Sequence, residues 1–189
     1  ATKGKSVMNF LSLAEGEKVT SILPMPKDKK AASDLSLMMI TKNGTGKKVS
    51  AKSFHDVRRS GLISITLDEG DELMAVSFVS KGDDILIVTR EGQSIRFKES
   101  DVREMGRGAA GVKVIKLDKN DCVISADVVS KDAQEPALFV MSANGYGKRT
   151  KLAEYKVQKR GGSGILTANV TAKTGPIMAA RVVTPEVEE

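Results

Sequence analysis

The chain has no tryptophan, one cysteine and one histidine, and only two tyrosines and five phenylalanines among 189 residues. Each scarcity removes a class of protein. The single cysteine, Cys122, cannot close an intramolecular disulfide, which excludes a disulfide-stapled scaffold and fits a reducing compartment. His55 and that one cysteine leave no cluster for a zinc site. So few rings offer little platform for stacking single-stranded bases. No apolar run approaches the ~18 residues that span a bilayer, and the opening ATKGKSVMNFLSL lacks the long apolar centre of a signal peptide. These absences predict a soluble intracellular chain without a membrane partner, long enough to bury a core unaided.

What is abundant is positive charge and self-similarity. Thirty Lys plus Arg against 24 Asp plus Glu give a net charge of +6, a tilt toward polyanionic partners. One phrase occurs three times, at residues 32–79, 83–129 and 135–183. Gly44, Gly92 and Gly145 mark the first turn of each copy, and Gly61, Gly111 and Gly164 precede its third apolar stretch. Residues 4–23 match the second half of the phrase, with Gly4 in the place of Gly61. The predicted organisation is half a repeat at 1–31, then repeats at 32–82, 83–134 and 135–189, the last ending in the acidic PEVEE, all within one binding domain.

Each repeat reads as β. LSLMMIT, DILIVTR and ALFVMSA are buried-strand runs, each followed by a glycine-containing turn and a basic stretch. GLISITL, GVKVIKL and GILTANV come next, then a polar turn, then ELMAVSFV, CVISADVV and PIMAARVV. Four strands in about 50 residues, without helical periodicity, predict an all-β fold of propeller type, here a partial set of four-stranded blades. Met38, Met39, Met74, Met178 and Cys122 are expected as core fillers.

The charge is concentrated. Residues 42–60, 90–113 and 148–160 hold 18 of the 30 cations and 6 of the 24 anions, a local charge of +12 that leaves −6 elsewhere. Equivalent positions of successive blades lie at one height around a disc, so these windows predict a basic belt. Its members are Lys42, Lys47, Lys48, Lys52, Arg58 and Arg59; Arg90, Arg96, Lys98, Arg103, Arg107 and Lys113; and Lys148, Arg149, Lys151, Lys156, Lys159 and Arg160. Such a belt suits a bent polyphosphate, because Lys and Arg neutralise phosphates while glycine-rich loops let backbone N–H groups come close.

Enzyme-like strings do not hold up. GRGAAG at 106–111 spells a dinucleotide fingerprint, yet a strand rather than a helix is predicted after it. The acidic turns around Asp68 and Asp118 read as solvated hairpins rather than acid–base pairs. No catalytic constellation emerges, and no cofactor or metal is expected in this stretch.

The phrases IRFKESDVREMGRGAAGVKVIKL and SANGYGKRTKLAEYKVQKRGGSGI resemble the C-terminal domain of the bacterial DNA gyrase A protein, and the likeness runs over nearly the whole chain. Gln158, Lys159, Arg160, Gly161, Gly162 and Gly164 match that family's seven-residue box QRRGGKG, allowing Lys for Arg, while Ser163 replaces its lysine. The phrases around this box-like loop are similar to later blades of the family rather than to the first, where the box normally lies.

The resemblance implies a β-pinwheel whose blades exchange strands, a non-catalytic module that wraps double-stranded DNA on its rim and supports ATP-dependent negative supercoiling. It implies as partners the rest of the gyrase A protein and the ATPase B protein in an A2B2 holoenzyme, which uses ATP and Mg²⁺, in the bacterial cytoplasm at the nucleoid. It also implies that Tyr146 and Tyr155 are not cleavage nucleophiles. Two alternatives stand beside it: the related domain of topoisomerase IV, guiding substrate choice, and a propeller whose belt meets acidic proteins.

Overall fold

The computed structural model describes residues 3–26, 34–55 and 61–185. It is an all-β arc of three antiparallel sheets. Strands β1 (Ser36–Thr41), β2 (Thr45–Ser50) and β3 (Leu73–Val79) come from the first repeat. The second supplies β4 (Asp84–Thr89), β5 (Gln93–Lys98), β6 (Val112–Lys113) and β7 (Val123–Val129). The third supplies β8 (Ala137–Ser142), β9 (Gly147–Lys151), β10 (Ile165–Leu166) and β11 (Ile177–Val183).

The sheets do not coincide with the repeats. Their strand orders are β3-β1-β2-β6, β10-β5-β4-β7 and β11-β8-β9. Thus β6 leaves the second repeat to pair with β2, Thr45 opposite Lys113 and Gly46 opposite Val112. In the same way β10 leaves the third repeat to pair with β5, Ile165 opposite Ser94. Glycine makes the crossing possible. Gly164 has φ +76°, and a Cβ there would stand 2.0 Å from the Ser94 carbonyl oxygen; Gly111, at φ +109°, is pressed against the Gly46 carbonyl in the same manner.

Burial on both faces explains the unbroken apolar runs of β1 and β4. Met38 and Ile40 point toward the second sheet, where they meet Ile85, Ile87, Ile95, Phe97 and Val102 together with Val114 and Ile115 from beyond β6. Leu37 and Met39 face the other way, against Leu23, Ile65 and Phe78. Between the second and third sheets, Leu86 and Val88 pack on Leu138, Val140, Leu152 and Tyr155. Each such side chain contributes about 1.5–3 kcal/mol by leaving water. The outer face of β8 is only partly covered: Ala137 is buried and Phe139 half-buried, while Met141 is exposed.

Two expectations are corrected. The third apolar stretch of each repeat is not a full strand: only two residues pair in β6 and in β10, and residues 61–67 form no strand. In the second repeat the chain turns inward directly after β6, and Val114 and Ile115 are spent on the core between sheets. Met178 is not a core filler either. It is the extra residue of a bulge in β11, as Met74 is in β3 and Ile124 in β7. Ile124 is covered by the following repeat, whereas Met178 is exposed. Residues 3–26, expected as half a repeat, contain only the short turn Val7–Asn9 as regular structure.

Candidate nucleic-acid interface

The predicted cations follow a common path in each repeat: along β2, β5 and β9, through a 3₁₀ turn (Ala51–Phe54, Glu99–Asp101 or Leu152–Glu154), and into the loop that precedes the crossing strand. Arg58 and Arg59 lie outside the described residues. Ten of the others are exposed: Lys52, Arg90, Lys98, Arg103, Lys113, Lys148, Arg149, Lys151, Lys156 and Lys159. All three repeats contribute, so the exposed charge follows the arc. Lys42, Lys48, Arg96, Arg107 and Arg160 are half-buried, and Lys47 is fully buried.

Partners account for most of the cations that turn inward. Strand geometry sends neighbouring residues to opposite faces, so Lys47 and Lys48 cannot share a surface. Lys47 turns into the junction between the first two repeats, where its ammonium donates to the Ser64 carbonyl at 2.8 Å and to the Arg107 carbonyl. Lost solvation disfavours its charged form and holds its pKa below the ordinary lysine range. Lys48 pairs with Glu99 and donates to its backbone carbonyl. Arg96, one repeat later, pairs with Asp84 at 2.8 Å and donates to the Leu152 carbonyl at 3.0 Å. Lys42 pairs with Glu72 at 3.2 Å, Lys113 reaches the Asn43 carbonyl, and Lys148 the Thr167 carbonyl.

The box-like loop is docked on the second repeat. Gly161 N–H donates to the Val114 carbonyl at 2.7 Å, and Lys116 N–H donates to the Gly162 carbonyl at 2.9 Å. Gln158 N–H is bonded to the Arg96 carbonyl. Arg160 lays its guanidinium across two carbonyls, those of Asp101 at 2.7 Å and Lys113 at 2.8 Å. Lys159 behaves otherwise: its side chain is 91% exposed, with a loose contact of 3.3 Å to Asp101. Ser163 is exposed as well, whereas Gly161, Gly162 and Gly164 on either side of it are half-buried.

Asp84, Glu99 and Asp101, to which composition assigns no role, anchor these cations. An available signal was Asp84 itself, an acid opening the apolar run DILIVT where a strand buries both faces. Residues 106–111 run into β6 and not into a helix, so they present no helix N-terminus to a nucleotide. Tyr155 is buried in the core, and Tyr146 lies beneath Lys173, whose ammonium is 5.5 Å from the ring centre. Among the described residues no helix is long and apolar enough to cross a membrane.

The family described as DNA gyrase C-terminal domain, beta-propeller, matches residues 1–24, 35–80, 83–130 and 137–184. The chain belongs to this family. The DNA gyrase A protein of Lawsonia intracellularis (strain PHE/MN1-00) is 40% identical over 184 residues, 97% of this chain and 22% of that protein. Its counterpart in Escherichia coli (strain K12) is 36% identical over 178 residues, 94% of this chain and 20% of that protein. The chain therefore spans about a fifth of the length of these relatives. A solved DNA gyrase A C-terminal domain superposes with a TM-score of 0.80 at 26% identity, covering 97% of this chain and 59% of that one. The C-terminal domain of DNA topoisomerase IV superposes with a TM-score of 0.86 at 24% identity, covering 96% and 55%, a likeness of fold.

Proposed function

We propose that this chain is a DNA-wrapping module of a type II topoisomerase: it binds duplex DNA along its basic rim and bends it. The observation that carries the reading is the placement of the ten exposed cations, drawn from all three repeats and from equivalent strands, turns and loops of successive blades. Contacts of this kind go to phosphates, so binding is weak in sequence preference and steep in salt dependence. The module does no bond chemistry. In the parent assembly it works with the rest of the gyrase A protein and an ATPase B protein, which supply strand cleavage and the use of ATP and Mg²⁺, in the bacterial cytoplasm.

The test is titration of a roughly 40 base-pair duplex at increasing salt. With six to ten phosphate contacts, affinity falls about 10³- to 10⁵-fold between 50 and 200 mM salt. Affinity that is flat in salt, or unchanged after charge reversal of Lys98, Lys151 and Lys159, overturns the reading. Assembled with its partner proteins, the complete gyrase A protein is expected to supercoil relaxed plasmid in the presence of ATP. Relaxation without supercoiling would assign it to the topoisomerase IV kind.

A further inference from the structure

Not all of the belt's cations face outward, and four of those that do not, Lys47, Lys48, Arg96 and Arg160, share one habit. Lys47 of the first repeat donates to the Arg107 carbonyl of the second, and Lys48 to the Glu99 carbonyl and carboxylate of the second. Arg96 of the second donates to the Leu152 carbonyl of the third. Arg160 of the third reaches back to the Asp101 and Lys113 carbonyls of the second. Each carries its charge across a junction between repeats and ends on backbone rather than in solvent.

From this geometry we infer that Arg160 and Lys47 are positioning residues that fix the angle between successive blades, so that they set the curvature imposed on bound DNA and contact no phosphate. The inference rests on the DNA-binding reading above. The planar guanidinium of Arg160 spans two carbonyls that belong to different segments of the second repeat, one in the 3₁₀ turn Glu99–Asp101 and one at the end of β6. A lysine at 160 would keep the charge but lose the planar fork whose Nε and Nη1 reach the two carbonyls from fixed directions. Within KRGG the two adjacent cations therefore divide the work, Lys159 facing solvent and Arg160 locking the loop to its neighbour. Lys47 does the same at the other junction, tying the segment around Ser64 to the loop that carries Arg107.

Two readouts separate a brace from a phosphate contact. The slope of log affinity against log salt counts neutralised phosphates, about 0.9 per contact. Energy transfer between dyes on the two ends of a roughly 40 base-pair duplex reports its bend. Arg160→Lys, Arg160→Gln and Lys47→Met are compared with Lys159→Gln, with thermal unfolding confirming the fold of each variant. The braces are expected to leave the salt slope unchanged while the transfer gained on binding drops to less than about half. Lys159→Gln is expected to lower the slope by about one and keep the bend.

Wild-type bending by Arg160→Lys, or a slope reduced by about one in Arg160→Gln, overturns the inference while leaving DNA binding intact. Should the Arg160 variants unfold, Lys47→Met decides on the same two readouts. A wild-type chain that binds duplex without salt dependence overturns the underlying reading instead.

Discussion

Lys47 shows what a charge does when a strand carries it to the inner face. Among the described residues its ammonium rests on carbonyl oxygens and no carboxylate, and burial lowers its pKa, so over an alkaline interval the unfolded chain binds the proton that the folded chain has released. Stability contributed at this site therefore rises with pH from the lowered folded value up to about 10.4, the value of a free lysine. Urea unfolding of wild type and Lys47→Met at about pH 8 and about pH 10 is expected to show the difference between them shifting in favour of wild type at the higher pH. A constant difference would mean that the group titrates alike in both states. The sequence made Lys47 legible as a cation in a basic stretch. The period of two adds that Lys47 and Lys48 cannot both face the rim, but not which of them turns inward.

Among the elements, the short crossing strands carry more than their length suggests. A Cβ at Gly164 would collide with the Ser94 carbonyl, so Gly164→Ala is expected to lose about 1–3 kcal/mol from backbone strain and displaced pairing. Gly106→Ala, where the added carbon meets nothing within 4 Å, is expected to be neutral; equal thermal shifts for the two would refute the account. Phe97, fully buried between the first two sheets, is expected to cost about 3–5 kcal/mol on replacement by alanine, read from chemical unfolding. The runs that became β1, β4 and β8 were legible because burial leaves a continuous apolar signature. The lengths of β6 and β10 are not legible, because residues that pair with a neighbouring edge and residues that plug a core are equally apolar. Sequence alone does not say where one duty ends and the other begins.

For the whole molecule the organising fact is charge asymmetry along an arc. The basic windows stand out against a net-acidic remainder, which favours approach of a polyanion from the rim side and disfavours the turns around Asp68 and Asp118. The scarcity of aromatic rings adds a preference: duplex DNA is expected to compete off a bound duplex far better than single strands of equal nucleotide content. Equal competition would point to charge without shape. The belt as a set of residues was legible from three windows of like composition. Its division into outward and inward cations was not, because it depends on carbonyls and acids in other repeats, such as Asp101 and the oxygen of Lys113.

The exchange of β6 and β10 also imposes an order in time. The first sheet gains its outer strand only when Lys113 has been made, about 70 residues after its partner Thr45, and the second waits in turn for Leu166. On a ribosome delivering the chain from its N-terminus, each blade is held incomplete until half of the next has emerged. Its open edge is exposed for that interval. Folding thus runs as a wave that trails synthesis by roughly one repeat, and pausing within residues 83–110 would prolong the stage at which β2 is free to pair with the wrong chain.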